Sequence, residues 1–100
     1  MKILLACAAG MSTNLLVNKM IDAAKTEARD DKILAIGQEG LEEAMKNCDV
    51  LLLSPQMRFL TPKIKPMADE LGIPMDVIPA ALYGKVDGKA ILHLADKVAS

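Results

Sequence analysis

Short, continuously apolar runs alternate along this chain with segments of helical periodicity. That alternation constrains the fold more than any other feature. The runs are Ile3–Ala6, Ile33–Ile36, Val50–Leu53 and Met75–Ile78. The first three show no apolar–polar alternation, which predicts strands covered on both faces. The fourth follows Pro74 and contains Asp76. Proline cannot donate to a ladder, so an edge strand with one wet face is expected there.

The intervening segments repeat at three and four residues. Leu16, Met20 and Ala24, with Val17, Ile21 and Ala28, share one face, while Asn18, Asp22, Lys25 and Arg29 take the other. This predicts an amphipathic helix from about Thr13 to Arg29. Leu41, Ala44 and Met45 mark a short second helix after Gly40. A third is expected between Thr61 and Gly72, with Thr61 as cap, Pro62 at the first helical position and Gly72 as a left-handed stop. Pro66 falls inside this span, where it costs a backbone bond, so a start nearer Pro66 stands as the alternative. The last helix follows Asp87, a natural N-cap, and places Ile91, Leu94, Ala95 and Val98 on one face.

The predicted order is βαβαβαβα. It implies an α/β fold: a parallel sheet with helices on both faces and right-handed crossovers, in the flavodoxin-like strand order 2-1-3-4. One hundred residues suffice for one domain with a sizeable core. That core must be aliphatic, because Phe59 and Tyr83 are the only aromatics. Single-stranded nucleic acid therefore finds almost no stacking platform. Twelve basic residues against thirteen acidic ones leave no phosphate-backbone footprint. No run approaches the length of a membrane span, and none reads as a signal peptide. A cytosolic, reducing location with free thiols at Cys7 and Cys48 is the expectation.

In such sheets ligands bind at the carboxyl ends of the strands, where the chain reverses direction across the sheet. This directs attention to Cys7-Ala-Ala-Gly-Met-Ser-Thr13. Small residues before a helix can turn successive N–H groups inward as an anion cradle. Gly10 permits close approach, and Ser12 and Thr13 can cap the helix or donate hydroxyls. No acidic residue precedes Asp22. A cysteine facing a helix N-terminus is expected to ionise readily and to attack phosphorus. The plain alternative, a small buried cysteine at a strand end, stands beside this reading.

Missing features narrow the chemistry. The GxxxxGK[ST] loop is absent. Cysteine phosphatases follow their cysteine six residues later with an arginine that clamps the phosphoryl group. Here that position is Thr13. A phosphocysteine without the clamp can survive to be handed on. A cysteine phosphatase or arsenate reductase, and a non-catalytic flavodoxin-like binding module, remain as alternatives.

The stretch MKILLACAAGMSTNLLVNKM resembles the start of enzyme IIB of the phosphoenolpyruvate-dependent sugar phosphotransferase system, lactose/cellobiose (chitobiose) type. Cys7, Gly10, Met11, Ser12, Thr13, Leu15 and Leu16 match its pattern in register, and Asn14 departs from a frequent serine. The resemblance continues in Asp49-Val-Leu-Leu-Leu-Ser-Pro-Gln56 and Leu82-Tyr-Gly-Lys-Val-Asp-Gly88. It implies a single phosphocarrier domain over residues 1–100, with a fold shared by low-molecular-weight phosphatases. It further implies a transferase whose Cys7 accepts phosphate from a phosphohistidine of enzyme IIA. Cys7 then passes it to a sugar held by the membrane permease, enzyme IIC. Ala8, Ala9, Gly10, Met11, Ser12 and Thr13 carry over as the phosphate-binding loop. A cellobiose or chitobiose-type disaccharide is the expected sugar, because a separate chain of this length resembles that branch. No cofactor or metal is implied, and the protein would meet the membrane only through the permease.

Other residues carry weaker expectations. Ser54, Pro55 and Gln56 follow the third strand and share the rim with Cys7. Gln56, Phe59 and Tyr83 are candidates for partner contacts, set against turn chemistry for Gln56 and packing for the two aromatics. His93 reads as a solvated residue on the polar face of the last helix. Cys48 sits at the opposite end of the sheet from Cys7. A five-residue strand separates these ends by about 16 Å, whereas a disulfide needs Cα atoms within about 7 Å.

Overall fold

The structure is a computed structural model that describes residues 1–7 and 11–100, without the side chains of residues 11–13. Four strands are present among the described residues: β1 (Lys2–Ala6), β2 (Lys32–Ile36), β3 (Val50–Leu53) and β4 (Met75–Val77). They form one sheet in the order β2-β1-β3-β4, with every pair parallel. The helices are α1 (Met11–Thr26), α2 (Leu41–Met45), α3 (Thr61–Leu71), α4 (Ala80–Gly84) and α5 (Gly88–Ala99), with a 3₁₀ segment at Pro55–Leu60.

Alternation along the central strands divides the core in two. Ile3, Leu5, Cys7, Val50 and Leu52 face α1 and α5, meeting Leu16, Met20, Ala24, Ile91, Leu92 and Ala95. Leu4, Ala6, Leu51 and Leu53 face α2 and α3, meeting Leu41, Met45, Ile64 and Ala68. Every residue of β3 is buried, which is what a continuous apolar run requires when helices cover both faces.

β2 departs from the expectation of two covered faces. It is an edge strand, and its Leu34 is 67% exposed. Leu34 pairs with Leu4 and so lies on the side of α2, which is only five residues long. That helix leaves an open groove of about 340 Å³ along Leu4, Leu34, Ala44 and Cys48. β4 is the edge strand expected at the other side, with Asp76 exposed.

Three helix boundaries also differ. α1 begins at Met11 rather than Thr13 and ends at Thr26, closed by Ala28 at φ 55° and by Arg29 N–H donating to the Ala24 carbonyl at 2.8 Å. α3 begins at Thr61, not near Pro66. Pro62 and Pro66 lie four residues apart on its exposed side, so the carbonyl deprived of its partner faces water. Thr61 is helical and does not cap; its Oγ1 donates to the Arg58 carbonyl at 2.7 Å. Gly72 does close α3 at φ 70°. α4 is an element that five residues are too few to announce by periodicity.

Candidate functional site

The ladder of β1 continues one residue beyond the strand on both sides. Cys7 N–H donates to the Ile36 carbonyl at 3.0 Å, and Ser54 N–H donates to the Ala6 carbonyl at 2.9 Å. Cys7 thus stands between the ends of β2 and β3, at the point where the chain crosses to one side after β1 and to the other after β2. α1 begins four residues later, and the first N–H groups of a helix have no intrahelical partner. Cys7 is buried and carries a thiol.

The two flanks bound an open groove of about 510 Å³. Gly37, Gln38 and Glu39 follow β2, while Gln56, Met57, Phe59 and Leu60 follow β3. β1 lies between those strands, but neither its residues nor Cys7 are among the described residues that line the groove. A Cβ on Gly37 would stand 3.9 Å from the Cys7 carbonyl oxygen, so the flank stays beside the cysteine past the ladder.

Gln56 and Phe59, expected on the rim, therefore share one groove. Met57 is buried against Leu53 and Ile64, whereas Phe59 is 72% exposed. The packing alternative fails for the phenylalanine. Tyr83 does not line the groove. It sits in α4 with its ring against the cluster that contains Cys7, and its hydroxyl is buried without a partner. Ala8, Ala9 and Gly10 lie outside the described residues. Met11, Ser12 and Thr13 form the start of α1, and their side chains lie outside the description.

Ser54 received no role from the sequence. It is fully buried, and its Oγ has no hydrogen-bond partner. An unmatched buried hydroxyl costs about 1–3 kcal/mol. The available signal was a serine placed directly after four buried apolar residues.

The remaining candidates lie elsewhere. Asp87 Oδ1 accepts from Ala90 N–H at 3.1 Å, the cap expected of it. His93 is exposed, and its Nε2 lies 2.7 Å from Glu27 Oε2, so it is paired rather than merely solvated. Glu27 follows α1, at the end of the sheet where strands begin. Cys48 is half-buried, its Sγ donating to the Met45 carbonyl at 3.4 Å. Burial and the neighbouring Asp49 carboxylate push this thiol above its ordinary pKa. Among the described residues, no group of three or more potential metal ligands occurs, and no helix is long and apolar enough to cross a membrane.

Residues 2–94 match the family model of the phosphotransferase system (PTS), lactose/cellobiose-specific IIB subunit. The oligo-β-mannoside-specific EIIB component of Bacillus subtilis is 44% identical over 88 residues, covering 88% of this chain and 85% of the relative. The galactose-specific EIIB component of Lactococcus lactis subsp. cremoris is 40% identical, covering 96% and 94%. The solution structure of the cellobiose-specific IIB component from Borrelia burgdorferi superposes with a TM-score of 0.83 at 38% identity, covering 98% and 90%. The family model and these relatives cover most of the chain's length. The chain belongs to the lactose/cellobiose-specific IIB family of the sugar phosphotransferase system.

Proposed function

We propose that this protein relays a phosphoryl group through Cys7, from a phosphohistidine of the IIA component to a sugar bound by the IIC permease. The observation that carries the reading is the position of Cys7. It directly follows β1, an inner strand, at the switch point, and α1 begins four residues later. The Cys7 sulfur lone pair attacks phosphorus, the S–P bond forms, and the P–N bond breaks with its electrons returning to the donor imidazole. In the second transfer a sugar hydroxyl oxygen attacks phosphorus, the O–P bond forms as the hydroxyl proton passes to water, and the S–P bond breaks with its electrons returning to sulfur as thiolate.

Such a transfer needs alignment more than acid–base apparatus. Ala8, Ala9 and Gly10, with the first turn of α1 at Met11, Ser12 and Thr13, supply the donors to the phosphoryl oxygens. A dianion accepts charge-assisted bonds there, each worth about 1.5–3 kcal/mol. Gln56 and Phe59 give the partner a place to dock on the rim that follows β3, and Tyr83 packs on the cluster that contains Cys7. The protein works in the cytoplasm and reaches the membrane through the permease. A β-linked disaccharide such as cellobiose is the sugar, a choice supported by the specificities named for the Bacillus and Borrelia relatives.

Intact-mass analysis after incubation with phosphoenolpyruvate and the upstream carriers tests the relay. A gain of about 80 Da on Cys7 is expected, absent in Cys7→Ser. No labelling with any matched carrier set would overturn the reading. Galactose phosphorylated faster than cellobiose in permease-containing membranes would overturn the choice of sugar.

A further inference from the structure

Ser54 presents a buried polar group that nothing in the fold uses. Its backbone is engaged, with N–H on the Ala6 carbonyl, but its hydroxyl is fully enclosed and unpartnered. The strand it follows is wholly apolar. Alanine would fill the space without leaving an unmatched donor.

The register says what the hydroxyl faces. Ala6 pairs with Leu53, so Ser54 stands opposite Cys7 one step further along. Val50 and Leu52 face the α1/α5 side, as do Leu5 and Cys7. Alternation carries Ser54 to that same side. Neighbouring strands lie about 4.8 Å apart, which brings a serine hydroxyl within reach of a cysteine sulfur across the gap after a rotation of χ1. A neutral thiol is a poor acceptor, whereas a thiolate is a strong one.

We propose that Ser54 is a built-in hydrogen-bond donor to the Cys7 sulfur, unpartnered in the resting thiol and engaged when the thiolate forms. Donation to the charged form favours that form, so Ser54 enlarges the thiolate fraction available to attack phosphorus. The meaning of this contact for transfer rests on Cys7 being the phosphoryl acceptor. The contact itself does not.

The test is a pH titration of thiolate ultraviolet absorbance in a Cys48→Ala background, where Cys7 is the only thiol, with a Cys7→Ser, Cys48→Ala protein as the baseline for Tyr83. Ser54→Ala is expected to move the Cys7 titration upward by about one pH unit, a tenfold loss of thiolate below the midpoint. Its melting temperature is expected to equal or exceed that of the parent, because an unmatched hydroxyl has been replaced by a methyl group. Opposite signs in the two measurements separate a donor from a packing residue. A titration that overlays the parent would overturn the proposal. So would an upward shift accompanied by a lower melting temperature, since loosened packing would then account for both. Should Ser54→Ala fail to fold, Ser54→Gly removes the same hydroxyl and is judged by the same titration. The phosphoryl-transfer deficit of Ser54→Ala is further expected to narrow as pH rises. If Cys7→Ser still became phosphorylated, the relay would fall while the titration result stood.

Discussion

Gly88 and Lys19 meet backbone to backbone: a Cβ on Gly88 would lie 2.5 Å from the Lys19 carbonyl carbon and 2.6 Å from its oxygen. Neither atom belongs to a side chain that could swing away. The first turn of α5 therefore rests directly on α1, immediately after the Asp87 cap. Gly88→Ala must push the two helices apart, at a cost of about 1–3 kcal/mol. Denaturant unfolding should show a lower midpoint with an unchanged slope.

Ala28 holds a left-handed conformation at φ 55° in an exposed turn after α1. An L-residue with a Cβ is strained there by about 1–2 kcal/mol, while glycine adds unfolded-state entropy of about 0.4–1 kcal/mol. Ala28→Gly should therefore stabilise the protein by about 0.5–1 kcal/mol, read as a higher melting temperature.

Arg29 ties the end of α1 to α5. Its guanidinium donates to both carboxylate oxygens of Asp96, and its Nε lies 2.7 Å from the largely buried Asp31, which also pairs with the amino terminus. Arg29→Ala removes a forked contact and leaves Asp31 short of positive charge. A loss of about 1–3 kcal/mol is expected. Arg29→Lys should recover only part of it, because an ammonium cannot grip both oxygens in the same plane. Thermal melts of the three proteins at low and high salt check both statements.

Cys48 titrates above its ordinary range in the folded chain, through burial first and Asp49 second. The folded form then holds its proton more tightly than the unfolded form. The stability this contributes is complete below the unfolded pKa and disappears as pH climbs through the folded one. Alkaline unfolding should accordingly be shallower in Cys48→Ala than in the parent, measured as midpoint against pH.

Phe59 exposes most of its ring and contributes little to packing. Phe59→Ala should leave the melting temperature nearly unchanged, within about 0.5 kcal/mol of stability. Phosphoryl transfer from the IIA component should nevertheless slow at subsaturating partner concentration. Equal rates would remove Phe59 from the docking surface.

Much of this architecture is legible in the residues. Continuous apolar runs mark β1 and β3, and helical spacing between the runs marks the crossovers. Asp87 and Gly72 announce a start and a stop because their chemistry acts locally. The exposure of Leu34 was not legible in its own run, since it depends on the length of a helix packed elsewhere. Pro66 misleads for a similar reason: whether a lost hydrogen bond matters depends on which way the carbonyl faces. At the candidate site, Cys7 and the rim position of Gln56 follow from strand order. The orphaned hydroxyl of Ser54 emerges only once burial and register are known. The motif Leu82–Gly88 proves to hold structural devices: a left-handed Val86 at φ 51°, the Asp87 cap and the Gly88 contact.

The alternation that splits the core also acts as a bulkhead. Cys7 belongs to the side of α1 and α5, while the buried residues beneath Phe59 belong to the side of α2 and α3. Substitutions that reshape the outer wall of the groove are transmitted to Met57 and Ile64, not to Leu16 or Ile91. The groove's outer wall can therefore change while the surroundings of the sulfur stay as they were.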